Sequence, residues 1–318
     1  MKKILRTGLV AVTLSLPLAT FGNILVNDTW QDGSRTDPAA PIYADNNGVT
    51  SIDNDADGDG YPESAWFKGG AGTLTAATGS LLGSGYASAS ASWFTYFTPA
   101  ATPVTLINPG DMLRLTWVFT PSNVNSGSTA QGFNVALALT PSSVTRVTGD
   151  ASVPTGLYSS YAMQMNMATT LGNANPFQLR YWTNTSAGNL LGTSGNYKTA
   201  GNGATSGNHG YDSLTQYTFV MTLTRDLSGT GVDVTSTMTG GTLNGTGSAT
   251  VSYFDATASQ GYSFDTFDIR PTSDVASASS FTFNQFEVEF IPSVVPEPSV
   301  AALTGLAAAA LMVFRRRR

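Results

Sequence analysis

A period-two alternation of apolar and polar residues limits the fold open to this chain more than any other feature. It runs through Met112-Leu113-Arg114-Leu115-Thr116-Trp117-Val118-Phe119, Phe133-Asn134-Val135-Ala136-Leu137-Ala138-Leu139 and Tyr217-Thr218-Phe219-Val220-Met221-Thr222-Leu223. It returns in Val232-Asp233-Val234-Thr235 and from Phe281 to Phe290. Successive side chains of a strand point to opposite faces, so these runs read as strands with one face on a core. Thr, Val, Phe and Tyr fill them, while Gly, Asn, Ser and Pro separate them. The body shows no helical periodicity beyond two turns, no fixed-period repeat and no break in composition. A dozen or so strands in one unit of about 270 residues predict an all-β fold, an antiparallel β-sandwich of jelly-roll type spanning 23–293.

The two ends read as address segments. Met1-Lys2-Lys3-Ile4-Leu5-Arg6 is a basic start, Leu9–Leu18 is apolar, and Thr20 and Gly22 are placed for cleavage before Asn23. Residues 1–22 are therefore expected to be a secretory signal peptide. At the other end, 294–318 contain Val295-Pro296-Glu297-Pro298, an almost uncharged run 299–314, and Arg315-Arg316-Arg317-Arg318. The apolar run is expected to form a transmembrane helix, with the arginines held on the cytoplasmic side. Its fifteen residues from Val300 to Phe314 would reach only about 22 Å at ~1.5 Å per residue, short of a roughly 30 Å hydrocarbon core. That length suits a temporary anchor better than a permanent span, an ordinary tail anchor being the other reading.

This order of Pro-Glu-Pro, short apolar helix and terminal arginines resembles the PEP-CTERM sorting signal of bacterial envelope proteins. Two further stretches are similar to a recurrent group of such proteins. One is Asp28-Thr29-Trp30-Gln31-Asp32-Gly33-Ser34-Arg35 with Pro62-Glu63-Ser64-Ala65-Trp66-Phe67; the other is the closing strand Phe286–Pro292. The resemblance implies a concanavalin-like jelly roll exported through the inner membrane and held there until processed. It also implies an exosortase-type enzyme cutting near Pro296-Glu297-Pro298, release to the outer surface or extracellular matrix, and association with exopolysaccharide. It implies no established catalytic activity.

Setting both ends aside removes seven of fifteen basic and one of twenty-one acidic residues, leaving a net charge near −12. Such a surface repels nucleic acid, so that partner class is excluded. The chain has no cysteine, which excludes disulfides, thiol catalysis and cysteine-held metals. The single His209 sits in a glycine-rich loop and cannot build a two- or three-His metal site.

The sharpest local chemistry is Asp53-Asn54-Asp55-Ala56-Asp57-Gly58-Asp59-Gly60-Tyr61-Pro62-Glu63. Carboxylates two residues apart, with glycines that allow a tight turn, suit a hard oxygen-seeking cation. The run resembles a thrombospondin type 3 or dockerin-like calcium loop in either of two registers. From Asp55 the ligands would be Asp55, Asp57, Asp59, the Tyr61 carbonyl and Glu63. From Asp53 they would be Asp53, Asp55, Asp57 and the Asp59 carbonyl. The first is preferred because it employs Glu63. Ser64 or Trp66 stands where an EF-hand has its bidentate acid, so affinity is expected in the roughly 0.1–1 mM range of extracellular modules. The other reading is an acidic, solvated loop.

No catalytic constellation stands out. Glu287 and Glu289 share a strand face roughly 6.5–7 Å apart, within the about 5–9.5 Å spread of glycosidase carboxylates. The Glu-x-Asp-x-x-Glu signature of laminarinase-like jelly rolls is missing, however. Asp265 and Asp268 would lie on opposite faces of a strand. No Gly-x-Ser-x-Gly elbow or phosphate-binding Gly-rich loop occurs; Gly201-Asn202-Gly203 and Gly245-Thr246-Gly247 read as hairpin turns.

Binding is harder to dismiss. Trp93, Phe94, Tyr96 and Phe97 form one aromatic cluster, and Tyr181 with Trp182 another. Tyr181 and Trp182 could stack a sugar or simply pack. Two functions thus stay open: a non-enzymatic exported surface or matrix protein, and a calcium-assisted, lectin-like carbohydrate-binding module. A glycan hydrolase is a distant third.

Overall fold

The computed structural model describes residues 22–36, 55 and 58–293. The expected signal peptide up to Phe21 and the sorting tail with Pro296, Glu297, Pro298 and Arg315–Arg318 lie outside them. In chain order the strands are β1 (Asn23–Asp28), β2 (Trp66–Gly70), β3 (Thr73–Ala77), β4 (Ser80–Ser84), β5 (Ala91–Tyr96), β6 (Val104–Thr105), β7 (Met112–Ser122), β8 (Phe133–Leu139), β9 (Thr155–Gly156) and β10 (Ser159–Met165). They continue as β11 (Phe177–Trp182), β12 (Gly188–Asn189), β13 (Tyr197–Asn202), β14 (Tyr217–Arg225), β15 (Val232–Thr239), β16 (Ser248–Asp255), β17 (Ser263–Phe264), β18 (Thr266–Pro271) and β19 (Ser280–Ile291).

Two antiparallel sheets carry the fold. One has the order β16-β15-β14-β7-β19-β4-β3, with β1 also beside β19; the other runs β13-β11-β10-β8-β18-β5-β2. The long β19 shares one edge between two partners, pairing Ser280–Phe283 with β4 and Phe286–Phe290 with β1. Its alternation changes phase once. Phe281 and Phe283 are buried, then Phe286 and Val288, because a bulge between Phe283 and Gln285 inserts one residue. A bulge of this kind keeps the apolar set on the core side of a strand that would otherwise turn it to solvent.

The core between the sheets is aromatic. Trp66, Trp93, Trp117, Phe119, Phe283 and Phe286 are fully buried. Trp117 stacks on Phe119 at 4.1 Å, and Trp66 meets Phe286 edge-on at 5.0 Å. Fully burying a large side chain stabilises by roughly 1.5–3 kcal/mol, so this layer supplies much of the driving force. Gly83 in β4 shows how tightly it is filled: a Cβ there would fall 2.6 Å from the Trp93 ring.

Two sequence expectations are corrected. Gly201-Asn202-Gly203 is no hairpin turn; Gly201 and Asn202 end β13, paired with Leu179 and Gln178. These glycines let an edge strand approach the facing sheet, since a Cβ on Gly203 would sit 2.3 Å from the Thr250 carbonyl oxygen. Asp265 lies in the break between β17 and β18 and so escapes the alternation. Its carboxylate joins the Arg146 guanidinium, which lies over the Tyr96 ring.

Candidate functional site

The central strands of the seven-stranded sheet are buried on both sides. In β8 every residue from Phe133 to Ala138 is buried, not every second one. The outer face is covered by the excursions after β8 and after β11, through Val153, Tyr158, Leu190 and Leu191. Small residues make room for them: Ala136, Ala138 and Ala162 pack in this second cluster.

Strand register arranges the outer face in rows. Gln178 opposes Gln164, Gln164 opposes Asn134, and Asn134 opposes Arg270, giving one polar row across β11, β10, β8 and β18. The next row runs Arg180, Ala162, Ala136, Asp268, Phe94. The polar row borders an open hollow of about 370 Å³ lined by Gln131, Asn134, Gln164, Thr193, Ser194 and Arg270, among others. A smaller one of about 80 Å³ also borders Arg270 and Ser90, together with Ser92 and Asn189.

The polar groups here are only partly satisfied by the protein. Asn134 is 5% exposed; its amide donates to the Arg270 carbonyl at 3.2 Å, but its Oδ1 is buried without a partner. Gln164 is 7% exposed and accepts a hydrogen bond from Arg180 through Oε1. Arg270 donates from Nη1 to the Leu191 carbonyl at 2.8 Å and from Nη2 to the Ser90 hydroxyl at 3.0 Å. Asp268 is fully buried; Ser92 donates to its Oδ1 at 2.8 Å, while Oδ2 has no partner. Burial in this apolar setting pushes the Asp268 carboxyl up to about 7.

The residues singled out from sequence fall elsewhere. Trp182 faces this side but is 5% exposed, edge-on to Tyr158 and Tyr197, with its indole donating to the Asn184 carbonyl at 2.9 Å. Tyr181 points inward and stacks on Tyr253 at 5.5 Å. Both rings are thus engaged in packing. Trp93, Phe94, Tyr96 and Phe97 are buried as well. On the other sheet, Glu289 pairs with Arg114; burial and then the Glu289 charge push the Glu287 carboxyl up. His209 pairs with Asp212 at 2.8 Å. The sequence reading missed Asn134, Gln164 and Arg270. The available signal was polar side chains at regular positions of strands whose other residues are apolar.

Of the calcium-loop residues, Asp53 and Asp57 lie outside the described set. Gly58 and Gly60 have φ of +75° and +92°, the left-handed region a tight turn demands. The Gly60 amide donates to Asp55 Oδ2 at 3.0 Å, the Tyr61 amide to Asp59 Oδ1 at 2.8 Å, and Asn27 to Asp59 Oδ2 at 2.5 Å. Glu63 is 2% exposed, and Asp55 Oδ1 is shielded from solvent with no hydrogen-bond donor among the described residues. A carboxylate oxygen so placed fits a hard cation. Among the described residues alone, no group of three or more acidic or His side chains could hold an ion.

No family model and no curated protein matches this chain. Among solved structures it is similar to the Emp47p carbohydrate recognition domain, with 13% identity over 81% of this chain and 94% of that one, TM-score 0.40. It is similar also to the VIP36 exoplasmic/lumenal domain in a Ca2+/Man3GlcNAc-bound form, with 12% identity over 73% and 86%, TM-score 0.42. An endo-1,3-beta-glucanase from Streptomyces sioyaensis gives 14% identity over 88% and 100%, TM-score 0.41. At these values the likeness does not bear on the site.

Proposed function

We propose that this chain is an exported, non-enzymatic carbohydrate-binding module that holds a glycan in the hollow on the outer face of the seven-stranded sheet. One observation carries the reading: the polar row of Gln178, Gln164, Asn134 and Arg270 borders an open hollow, with Asn134 Oδ1 left without a protein donor. Buried polar groups are costly unless bonded, and sugar hydroxyls both donate and accept, so they complement such a row. The address segments expected from the sequence support a position outside the cytoplasm, with an exosortase-type enzyme as processing partner and exopolysaccharide as the ligand source. Calcium held by Asp55, Asp57, Asp59, the Tyr61 carbonyl and Glu63, or in the other register by Asp53, Asp55, Asp57 and the Asp59 carbonyl, orders the loop that meets β1 through Asn27. A purely structural surface role is the second reading, favoured by the lack of any aromatic side chain lining the hollow.

The test is co-sedimentation of the purified chain with insoluble and capsular polysaccharides, with calcium and with chelator. Saturable retention on a glycan, lost in Asn134→Leu, is the expected result. Absence of retention on every polymer would leave the structural role. A calcium-induced rise in melting temperature, absent in Asp59→Asn, would tie the ion to the loop.

A further inference from the structure

The body of this chain is strongly acidic, yet its hollow is lined by a cation with no acidic partner among the described residues. Arg35 pairs with Asp150, Arg114 with Glu289 and Arg146 with Asp265. The Arg146 pair belongs to the outer face of the seven-stranded sheet, but the two arginines at the hollow on that face differ from it. Among the described residues, Arg270 has no carboxylate within ion-pair distance; it is held by the Leu191 carbonyl and the Ser90 hydroxyl. Arg180 meets Gln164 and the Tyr197 carbonyl, both neutral, and its Nε is buried without a partner. Arg180 stands behind Gln164, and Gln164 and Arg270 line the same hollow. Two guanidinium groups with no ion-pair partner among the described residues therefore act on one cavity.

Resting on the glycan reading, we infer that the hollow selects an acidic polysaccharide, taking the carboxylate of a uronic-acid residue on Arg270. Two of Arg270's hydrogen bonds anchor it to the covering excursion and to Ser90, which leaves three of five guanidinium N–H groups. A guanidinium fixed in this way presents a planar fork that matches a planar carboxylate, a geometry that an ammonium lacks. Gln164 and Asn134, beside it in the row, are placed to meet the ring hydroxyls. Asp268, two residues before Arg270 on the same face, is bonded to Ser92 instead. Burial raises its carboxyl, and Ser92 and the Arg270 charge draw it back down in part, so it compensates Arg270 only partly.

The experiment compares binding of the full chain to polygalacturonate and alginate with binding to the same polymers after carboxyl reduction, and to dextran sulfate, by affinity electrophoresis and titration calorimetry. Reduction of the carboxyls is expected to weaken binding about 10-fold or more, the scale of a hydrogen bond to a charged group. Arg270→Gln should remove that preference and Arg270→Lys retain part of it, while Arg114→Gln on the opposite sheet leaves it unchanged. The wild-type comparison needs no variant, so it stands even if Arg270→Gln fails to fold, which circular dichroism would report. Equal affinity for native and reduced polymers would overturn the inference while leaving the glycan reading intact. Tighter binding of dextran sulfate, or a preference surviving in Arg270→Gln, would mean general anion attraction and would also overturn it. Retention of no polymer, neutral or acidic, would remove the glycan reading as well.

Discussion

The inner side of the seven-stranded sheet carries Trp66, Trp93, Tyr161, Met163 and Phe267; its outer side, on the same strands, carries Phe94, Ala136, Ala162, Asp268 and Arg270. Both sides are buried, but by different means. Inside, large rings interlock across the sandwich, and the indole N–H groups of Trp66 and Trp93 have no hydrogen-bond partner. Those rings sit edge-to-face, Trp66 on Phe286 at 5.0 Å and Trp93 on Tyr86 at 5.4 Å, a favourable quadrupolar arrangement. Outside, small residues admit two chain excursions, and charged groups are held by specific bonds. The inner face supplies stability. The outer face spends part of it on polar groups that folding alone does not need, which is what a binding surface requires.

The inner face should respond to lost volume above all. Trp117→Ala, on β7 of the facing sheet, opens a cavity against that inner face, among Phe119, Phe133, Phe267 and Phe283, and is expected to cost ~3–5 kcal/mol. Denaturant titration would read this as a lower midpoint with an unchanged slope. A loss under about 1 kcal/mol would mean that the aromatic layer is not the stabilising unit.

The outer face should respond to lost pairing. Arg146 and Asp265 form an ion pair at 2.8 Å with side chains only 6% and 2% exposed. Arg146→Ala strands a buried carboxylate and is expected to cost roughly 3 kcal/mol, the low end for a broken buried pair. The Thr140 amide and the Thr266 hydroxyl still donate to Asp265 and limit the loss. Arg146→Met with Asp265→Asn, which removes both charges, should recover part of it. If the double variant is no better than the single one, the cost lies in packing against Tyr96 and not in charge.

Much of the inner face was legible in the sequence, because its signal is local. The run Phe133–Leu139 matches β8 residue for residue, whereas the bulge between Phe283 and Gln285 interrupts the run Phe281–Phe290 that the sequence presented as one alternation. The outer face was not legible. Ala136 and Ala138 sit where an exposed strand face would be, and nothing local announces that residues after β8 and β11 fold back over them. The row Gln178–Gln164–Asn134–Arg270 exists only through the register of four strands, with Asn134 and Arg270 far apart in sequence. For Trp182 the sequence left stacking a sugar and packing both open, because the excursion that covers it is a long-range event.

Asp268 gives the outer face a pH signature that the inner face cannot have. Its folded value of about 7 lies above the ordinary 3.8, so ionisation favours the unfolded chain. Its contribution to stability is full below about pH 4, declines as pH rises toward 7 and is flat above that. Asp268→Asn should match wild type near pH 4 and exceed it at pH 8 by roughly 2 kcal/mol, the linkage being reduced by the new amide's unmet hydrogen bond. Melting curves across that range would check the crossing. Equal curves at pH 8 would mean that water reaches the Asp268 carboxyl.

The smallest effect concerns how that carboxyl is held. Ser92 donates to Asp268 Oδ1 at 2.8 Å, and this bond favours the ionised form against the desolvation that opposes it. Ser92→Ala removes the donor, so the folded value should move further up and the decline in stability should extend to higher pH. At pH 8 the variant should lose about 1 kcal/mol, the net worth of one hydrogen bond, and close to nothing at pH 4, where the carboxyl is protonated in both proteins. The sign separates this from a packing defect, which would lower both ends of the profile equally. Since Ser92 also borders the smaller hollow beside Arg270, a ligand that reached that far would protect the carboxyl and flatten the same profile when bound.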